Sequence, residues 1–218
     1  MWVKVLILAQ DRIFTDALAT WLDGESDMRV VAALHDRVPS PSALAASQSN
    51  VVLLDADLRE DPALRVCEEC SGRDGGPKVI MLGQSSEPRR IVRAMRSGAA
   101  GWVRKDESLE RLRDVIHAVA GGETCLPPRQ TGEVLRLLLR GADAGESSAG
   151  SALAALTPRE REVLMCLAAG TGRRAVAAHL QMSPNTVRTH LQNLMGKLGV
   201  HSALEAVALI RSQVPYKG

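Results

Sequence analysis

Leu156-Thr157-Pro158-Arg159-Glu160-Arg161-Glu162-Val163-Leu164, then Met182-Ser183-Pro184-Asn185-Thr186-Val187-Arg188-Thr189-His190-Leu191, then Lys197-Leu198-Gly199-Val200, decide how the second half of this 218-residue chain folds. Thr157 is a good N-cap, Pro158 suits the first helical position, and Glu160 supplies the acid of a capping box. Val163, Leu164 and Leu167 recur at helical spacing, and Gly170 ends the helix. A second short helix is predicted from about Arg173 to Leu180. Ser183 and Pro184 restart the chain as a third helix, in which Val187, Leu191, Leu194 and Leu198 fall on one face. That face must be core.

The opposite face of the third helix carries Asn185, Arg188, Thr189 and Gln192, side chains that hydrogen-bond base edges or phosphates in a major groove. Arg188 suits guanine in a bidentate manner, Gln192 suits adenine, and Thr189 offers a hydroxyl or a methyl. Thr186, His190 and Lys197 are better placed for phosphates, which position a protein without carrying sequence information. An ordinary amphipathic helix with a solvated polar face is the competing reading, and the three-helix pattern as a whole weighs against it. Leu156 to Leu209 resembles the LuxR-type helix-turn-helix domain, closely so at Thr157-Pro158-Arg159-Glu160 and at Thr186-Val187-Arg188-Thr189-His190-Leu191. The resemblance implies that the third helix enters the major groove and that a fourth, Ser202 to about Ser212, pairs two domains on DNA. Two positions depart from it. Gly172-Arg173-Arg174-Ala175 opens the second helix without a capping side chain, and Gly196 stands where the family has a basic residue. A helix-interior Gly costs roughly 1 kcal/mol relative to Ala, so fraying of that helix end without DNA is expected.

Charge divides the chain. From Ala152 onward there are eight Lys or Arg against three acids, a net +5, whereas the first 151 residues carry 19 basic and 22 acidic residues, a net −3. The basic half is the one suited to a polyanion. With 45% hydrophobic residues, the length supports two ordinary cores. No run of about 18 apolar residues exists, so no membrane span is expected. Val3 to Leu8 is too short for a signal peptide and reads as a strand, so the expected location is cytoplasmic. The four cysteines suit a reducing compartment. Cys67 and Cys70 form a CxxC, but no second pair or nearby His completes a metal site, and they read as structural.

The first half alternates strand and helix. Strand-like runs occur at Val3 to Leu8, Arg29 to Leu34, Val51 to Leu54, Lys78 to Leu82 and Gly101 to Val103. Helical patterns lie near Ile13 to Leu22, Ser42 to Ser47, Pro62 to Cys70, Pro88 to Ser97 and Leu109 to Ala120. This predicts an α/β fold with a doubly wound, five-stranded parallel sheet (flavodoxin-like), followed by the small all-α helix-turn-helix unit. The expected boundaries are 1–121 for the first domain, 122–151 for a linker with one helix at about Arg129 to Arg140, and 152–218 for the second domain. Gly141 to Ser151, rich in Gly, Ala and Ser, reads as a flexible tether.

Ligand sites in such sheets lie at the carboxyl ends of the strands. Here those ends hold Ala9-Gln10-Asp11, Asp55, Gly83 and Lys105. With Val52-Leu53-Leu54-Asp55 and Gly98-Ala99-Ala100-Gly101-Trp102-Val103-Arg104-Lys105-Asp106, the layout resembles the receiver domain of response regulators, and the whole chain resembles the NarL/FixJ subfamily. The resemblance implies that Asp55 is the phosphoacceptor position and Lys105 the family lysine. It also implies an adjacent acidic pair for magnesium, which wants several oxygen ligands, but those positions are Ala9 and Gln10. Asp11 stands one place too late and reads as an N-cap. The family's Thr or Ser at the end of the fourth strand is Gly83, with Ser85 and Ser86 too far along the loop to replace it. Trp102 occupies the place of the family's switch aromatic, is expected to be too bulky for the usual inward rotation, and reads as a core or interface residue. Asp55 reads equally as a pocket group or as a polar end to a buried strand.

The expected function is a dimeric, sequence-specific transcriptional regulator with no cofactor or metal, not an enzyme, its degenerate receiver not controlled by conventional phosphorylation. Abundance, a small ligand admitted beside Ala9 and Gly83, or a second response regulator in a heterodimer would set its activity. The alternatives are a phosphorylation-dependent regulator using Asp55 with Asp11, and an interaction module that holds DNA nonspecifically.

Overall fold

The computed structural model describes residues 2–35, 38–58, 60–72, 75–143, 155–200 and 202–213. These fall into two compact units, Met1–Pro128 and Arg129–Gly218. Most of the Gly141 to Ser151 tether lies outside the described residues.

The first unit holds five strands, β1 (Val3–Ala9), β2 (Met28–His35), β3 (Val51–Asp55), β4 (Lys78–Gly83) and β5 (Ala99–Arg104), in one sheet of order β2-β1-β3-β4-β5. Every neighbouring pair is parallel. Helices α1 (Arg12–Asp23), α2 (Pro41–Ala46), α3 (Glu60–Ser71), α4 (Pro88–Arg96) and α5 (Leu109–Ala120) connect and cover the strands. All five residues of β3 are buried, as expected of a central parallel strand whose two faces both meet helices. On one face Ile7, Leu53, Ile80 and Val103 form a continuous core with Leu18 and Leu22 of α1 and Leu112, Val115 and Ile116 of α5. The parallel register brings Ala9, Asp55, Gly83 and Arg104 to one edge of the sheet.

The second unit contains α6 (Thr131–Asp143), α7 (Pro158–Ala168), α8 (Arg173–His179), α9 (Pro184–Leu198) and α10 (Ala203–Gln213). The capping box at Thr157 is complete: Glu160 N–H donates to Thr157 Oγ1 and Thr157 N–H donates to Glu160 Oε2. Gly172 caps α8 through no side chain, while Ser183 caps α9 through Thr186 N–H. Gly196 lies within α9, which continues to Leu198 and ends on Gly199 at φ 65°. Gly199 fits the left-handed position that terminates helices. Val163, Leu164, Val176, Val187, Leu191, Leu194, Leu198, Ala206 and Ile210 form the core. The helix placed in the linker by its sequence, α6, packs against α10, with Val134 and Leu138 buried. Among the described residues, no helix is long and apolar enough to cross a membrane.

Candidate nucleic-acid interface and strand-end site

The buried side of α9 is set by Val187, Leu191, Leu194 and Leu198, which fixes what faces outward. Asn185, Thr186, Arg188 and Thr189 are exposed, and His190 and Gln192 are half-buried. Thr189 Oγ1 donates to the Asn185 carbonyl at 3.1 Å, so its methyl is the freer recognition group. Thr186 Oγ1 lies 2.8 Å from Ser183 Oγ. α8 packs on α9 through a tight turn in which Gln181 takes the left-handed conformation, φ 53°.

Lys197, expected to contact phosphate, is paired within the protein. Its ammonium lies 2.7 and 3.0 Å from the two carboxylate oxygens of Glu160. The Glu160 side chain is only 4% exposed. Burial alone raises the Glu160 pKa, but the bonds from Lys197 and from Thr157 outweigh it and hold the carboxyl below its usual range. An acid so enclosed needs this cation, and Lys197 therefore joins the end of α9 to the start of α7.

At the strand ends, Asp55 is 1% exposed and its carboxylate is surrounded by donors. Lys105 Nζ lies 2.6 Å from Oδ1, Asp57 N–H donates to Oδ1 at 2.9 Å, and Gln10 N–H donates to Oδ2 at 3.3 Å. Asp55 is thus a pocket group as well as a strand end. Two residues escaped the sequence reading. Asp57 Oδ2 lies 3.2 Å from Lys105 Nζ, and its Oδ1 accepts from Arg90 Nη2 at 3.2 Å. Arg90, in the first turn of α4, also donates to the Ala56 carbonyl at 2.8 Å. Burial would raise the Asp57 pKa; Lys105, then Arg90 and the Gln84 amide, more than reverse this and leave it lowered. Asp57 stands two residues beyond Asp55, a signal available in the sequence, but nothing in the spacing points to Arg90.

The residues fit a magnesium ion poorly. Two carboxylates, Asp55 and Asp57, already face two cations, Lys105 and Arg90. Ala9 is a buried methyl, and Gln10 offers at most a neutral amide oxygen. Asp11 caps α1 through Phe14 N–H at 3.1 Å. Among the described residues, no group of three or more His, Cys, Asp or Glu could hold a metal. A hard divalent cation prefers a richer anionic oxygen set than this.

Trp102 is a core residue, and with Gly83 it bears on two expectations, the bulk that was to keep the ring out and the room beside Gly83. The indole is turned inward, with Trp102 3% exposed. A β-carbon on Gly83 would stand 2.7 Å from Trp102 Cζ2, so the space left by the missing hydroxyl is filled by the ring and is not open to a ligand. A small cleft does lie on that side of the sheet, lined by Ala63 and Leu64 of α3, Arg90 and Ala94 of α4, Met81 and Trp102. Cys67 and Cys70 are buried and form no disulfide; Cys67 donates to Met81 Sδ at 3.7 Å, and burial raises its thiol pKa strongly. Such a thiol is inert.

A parallel sheet with an Asp–Lys pair at its strand ends, joined in one chain to a helical unit that displays a polar recognition helix, defines a DNA-binding response regulator. Residues 5–117 match the response regulator receiver domain, and residues 154–210 match the bacterial regulatory proteins of the luxR family. The chain belongs to the response regulators with a LuxR-type DNA-binding domain, the NarL/FixJ type. It is 28% identical over 208 residues to the probable transcriptional regulatory protein NarL of Mycobacterium tuberculosis, covering 94% of this chain and 92% of that protein. It is 27% identical over 205 residues to the transcriptional regulatory protein DesR of Bacillus subtilis, covering 94% of each. Among solved structures, the receiver domain of the putative response regulator NarL from M. tuberculosis aligns with TM-score 0.52 at 20% identity, over 56% of this chain and 98% of that one. A structure of two RcsB dimers bound to two parallel DNAs aligns with TM-score 0.50 at 18% identity, over 98% of this chain and all of that one.

Proposed function

We propose that this protein is a sequence-specific transcriptional regulator that binds DNA as a dimer and whose receiver is not controlled by phosphorylation of Asp55. α9 lies in the major groove, with Arg188, Gln192, Asn185 and Thr189 toward base edges and Thr186 and His190 toward phosphates. Dimerisation doubles the short stretch that one recognition helix reads, and dimers on DNA are described for RcsB. Control then comes from abundance in the cytoplasm or from pairing with another response regulator. A small ligand, if one acts, has its room in the cleft between α3 and α4 and not beside Gly83.

The observation that carries this reading is the internal neutralisation at the strand ends: Lys105 and Arg90 already balance Asp55 and Asp57, and neutral residues occupy 9 and 10. The test is operator binding and oligomeric state with and without magnesium and beryllofluoride, for the wild type and Asp55→Ala. Equal affinity in all four conditions is expected. A gain that disappears in the variant would restore phosphorylation as the control. Competition against unrelated DNA at fixed salt separates base reading from phosphate-only binding, which shows no sequence preference.

A further inference from the structure

We infer that Gly83 and Trp102 form a steric lock that holds α4 and β5 in one arrangement, whatever happens at Asp55. This rests on the reading above and supplies its physical cause.

In the sheet, Trp102 pairs in register with Met81, and Gly83 with Arg104. Alternate residues of a strand share a face, so Met81, Gly83 and Trp102 lie on the same side of the sheet. The indole extends diagonally from its own position onto Gly83. A β-carbon there would be 2.7 Å from Cζ2 and 3.1 Å from Cε2 of the ring. The Gly83 backbone is not in the left-handed region, unlike Gly75, Gly98, Gly122, Gly170 and Gly199. Its conformation therefore admits any residue, and what stands against a side chain is chiefly the ring, at 2.7 Å, with the Ser85 carbonyl oxygen at 3.1 Å beside it.

Among the described residues the buried indole Nε1 has no hydrogen-bond partner, so none of them anchors the ring through a polar contact. A buried donor left in that state is unfavourable, so packing must determine its position. Met81, Ala94 and Ala56 line the same space, with exposures of 3%, 1% and 4%. The ring thus wedges under α4 while Arg90 ties the start of the same helix to the Ala56 carbonyl and Asp57. Both contacts bear on α4, whose Ile91, Val92 and Met95 are also buried, and neither passes through a movable hydroxyl at position 83.

The chain has three tryptophans, Trp2, Trp21 and Trp102. Full-length protein carrying Trp2→Phe and Trp21→Phe reports the Trp102 environment alone. Its emission should be blue, poorly quenched by acrylamide, and unchanged by magnesium with beryllofluoride or by Asp55→Ala. Adding Gly83→Ser should shift the emission to the red, raise quenching, and change operator affinity by about fivefold or more, the ordinary size of a coupling between sites. Where Gly83→Ser lowers folding yield, Gly83→Ser with Trp102→Leu should restore the thermal midpoint toward the wild type by removing the obstructing ring. An emission shift with beryllofluoride in the reporter protein, no shift with Gly83→Ser, or no rescue in the double variant would each overturn the lock. Operator binding that depends on Asp55 while the indole stays still would instead overturn phosphorylation independence and leave the lock standing.

Discussion

The strand ends of the receiver and the outer face of α9 use similar residues in opposite ways. At the strand ends two acids and two cations satisfy one another, leaving little charge for a ligand. On α9, Asn185 and Arg188 remain exposed on a helix whose position is fixed by its apolar side. A residue type indicates chemistry only when its polar atoms are not already committed. Lys197 makes the point within α9 itself, since a cation suited to a phosphate is held by Glu160 at 2.7 Å.

The largest effect expected from breaking this contrast is in the receiver. Lys105→Ala leaves Asp55 buried without its main cation, and a loss of about 3 kcal/mol in receiver stability is expected from broken buried pairs. Thermal and urea unfolding would show it, and a change below about 1 kcal/mol would mean that the pair is not what closes the site. Lys197→Ala should cost the DNA-binding unit about 2 kcal/mol, less than a fully enclosed pair because the lysine side chain is 36% exposed.

Arg188→Ala should weaken operator binding by about 1–3 kcal/mol and unrelated DNA far less, as read by anisotropy titrations at one salt concentration. Equal weakening of both would remove Arg188 from base reading and make the two regions more alike.

The pH dependence sharpens the comparison next. Glu160 and Asp57 both have lowered values in the folded protein. Their contribution is therefore fully present above the unfolded values, ordinarily 4.5 for Glu and 3.8 for Asp, and is lost as pH falls through the lower folded values. Unfolding free energy measured from pH 6 down to about 3 should decline on the acid side, with a shallower decline in Lys197→Ala. The smallest effect belongs to the turn between α8 and α9. Gln181→Gly relieves a left-handed non-glycine residue and should stabilise the unit by up to about 1 kcal/mol, with DNA affinity unchanged.

The parallel sheet was legible because β1, β3 and β4 are continuous apolar runs, and the DNA-binding unit because Thr157, Ser183 and the Val187 to Leu198 spacing mark helix starts and a core face. The replaced residues Ala9, Gln10 and Gly83 were legible too, as departures from a known pattern. What sequence could not reveal was which side chains meet. Arg90 reaches Asp57 across 33 positions and Lys197 reaches Glu160 across 37, and no local period records such pairs. Trp102 is legible as a core residue, but not where its ring lies: its size says nothing of the space that the absence of a side chain at Gly83 creates for it.

The seat of α6 on α10 bears on how this molecule can be divided. Residues 206–210 of α10 are all apolar, and Ala206, Ala208 and Ile210 are buried, with α6 covering part of that surface. A fragment started at Ala152 would strip away Val134 and Leu138 and bare part of the apolar stripe on α10, so its self-association would no longer report on that of the full chain. A fragment started at Arg129 keeps its own cover, so chimeras that exchange DNA-binding halves between relatives should be joined ahead of α6.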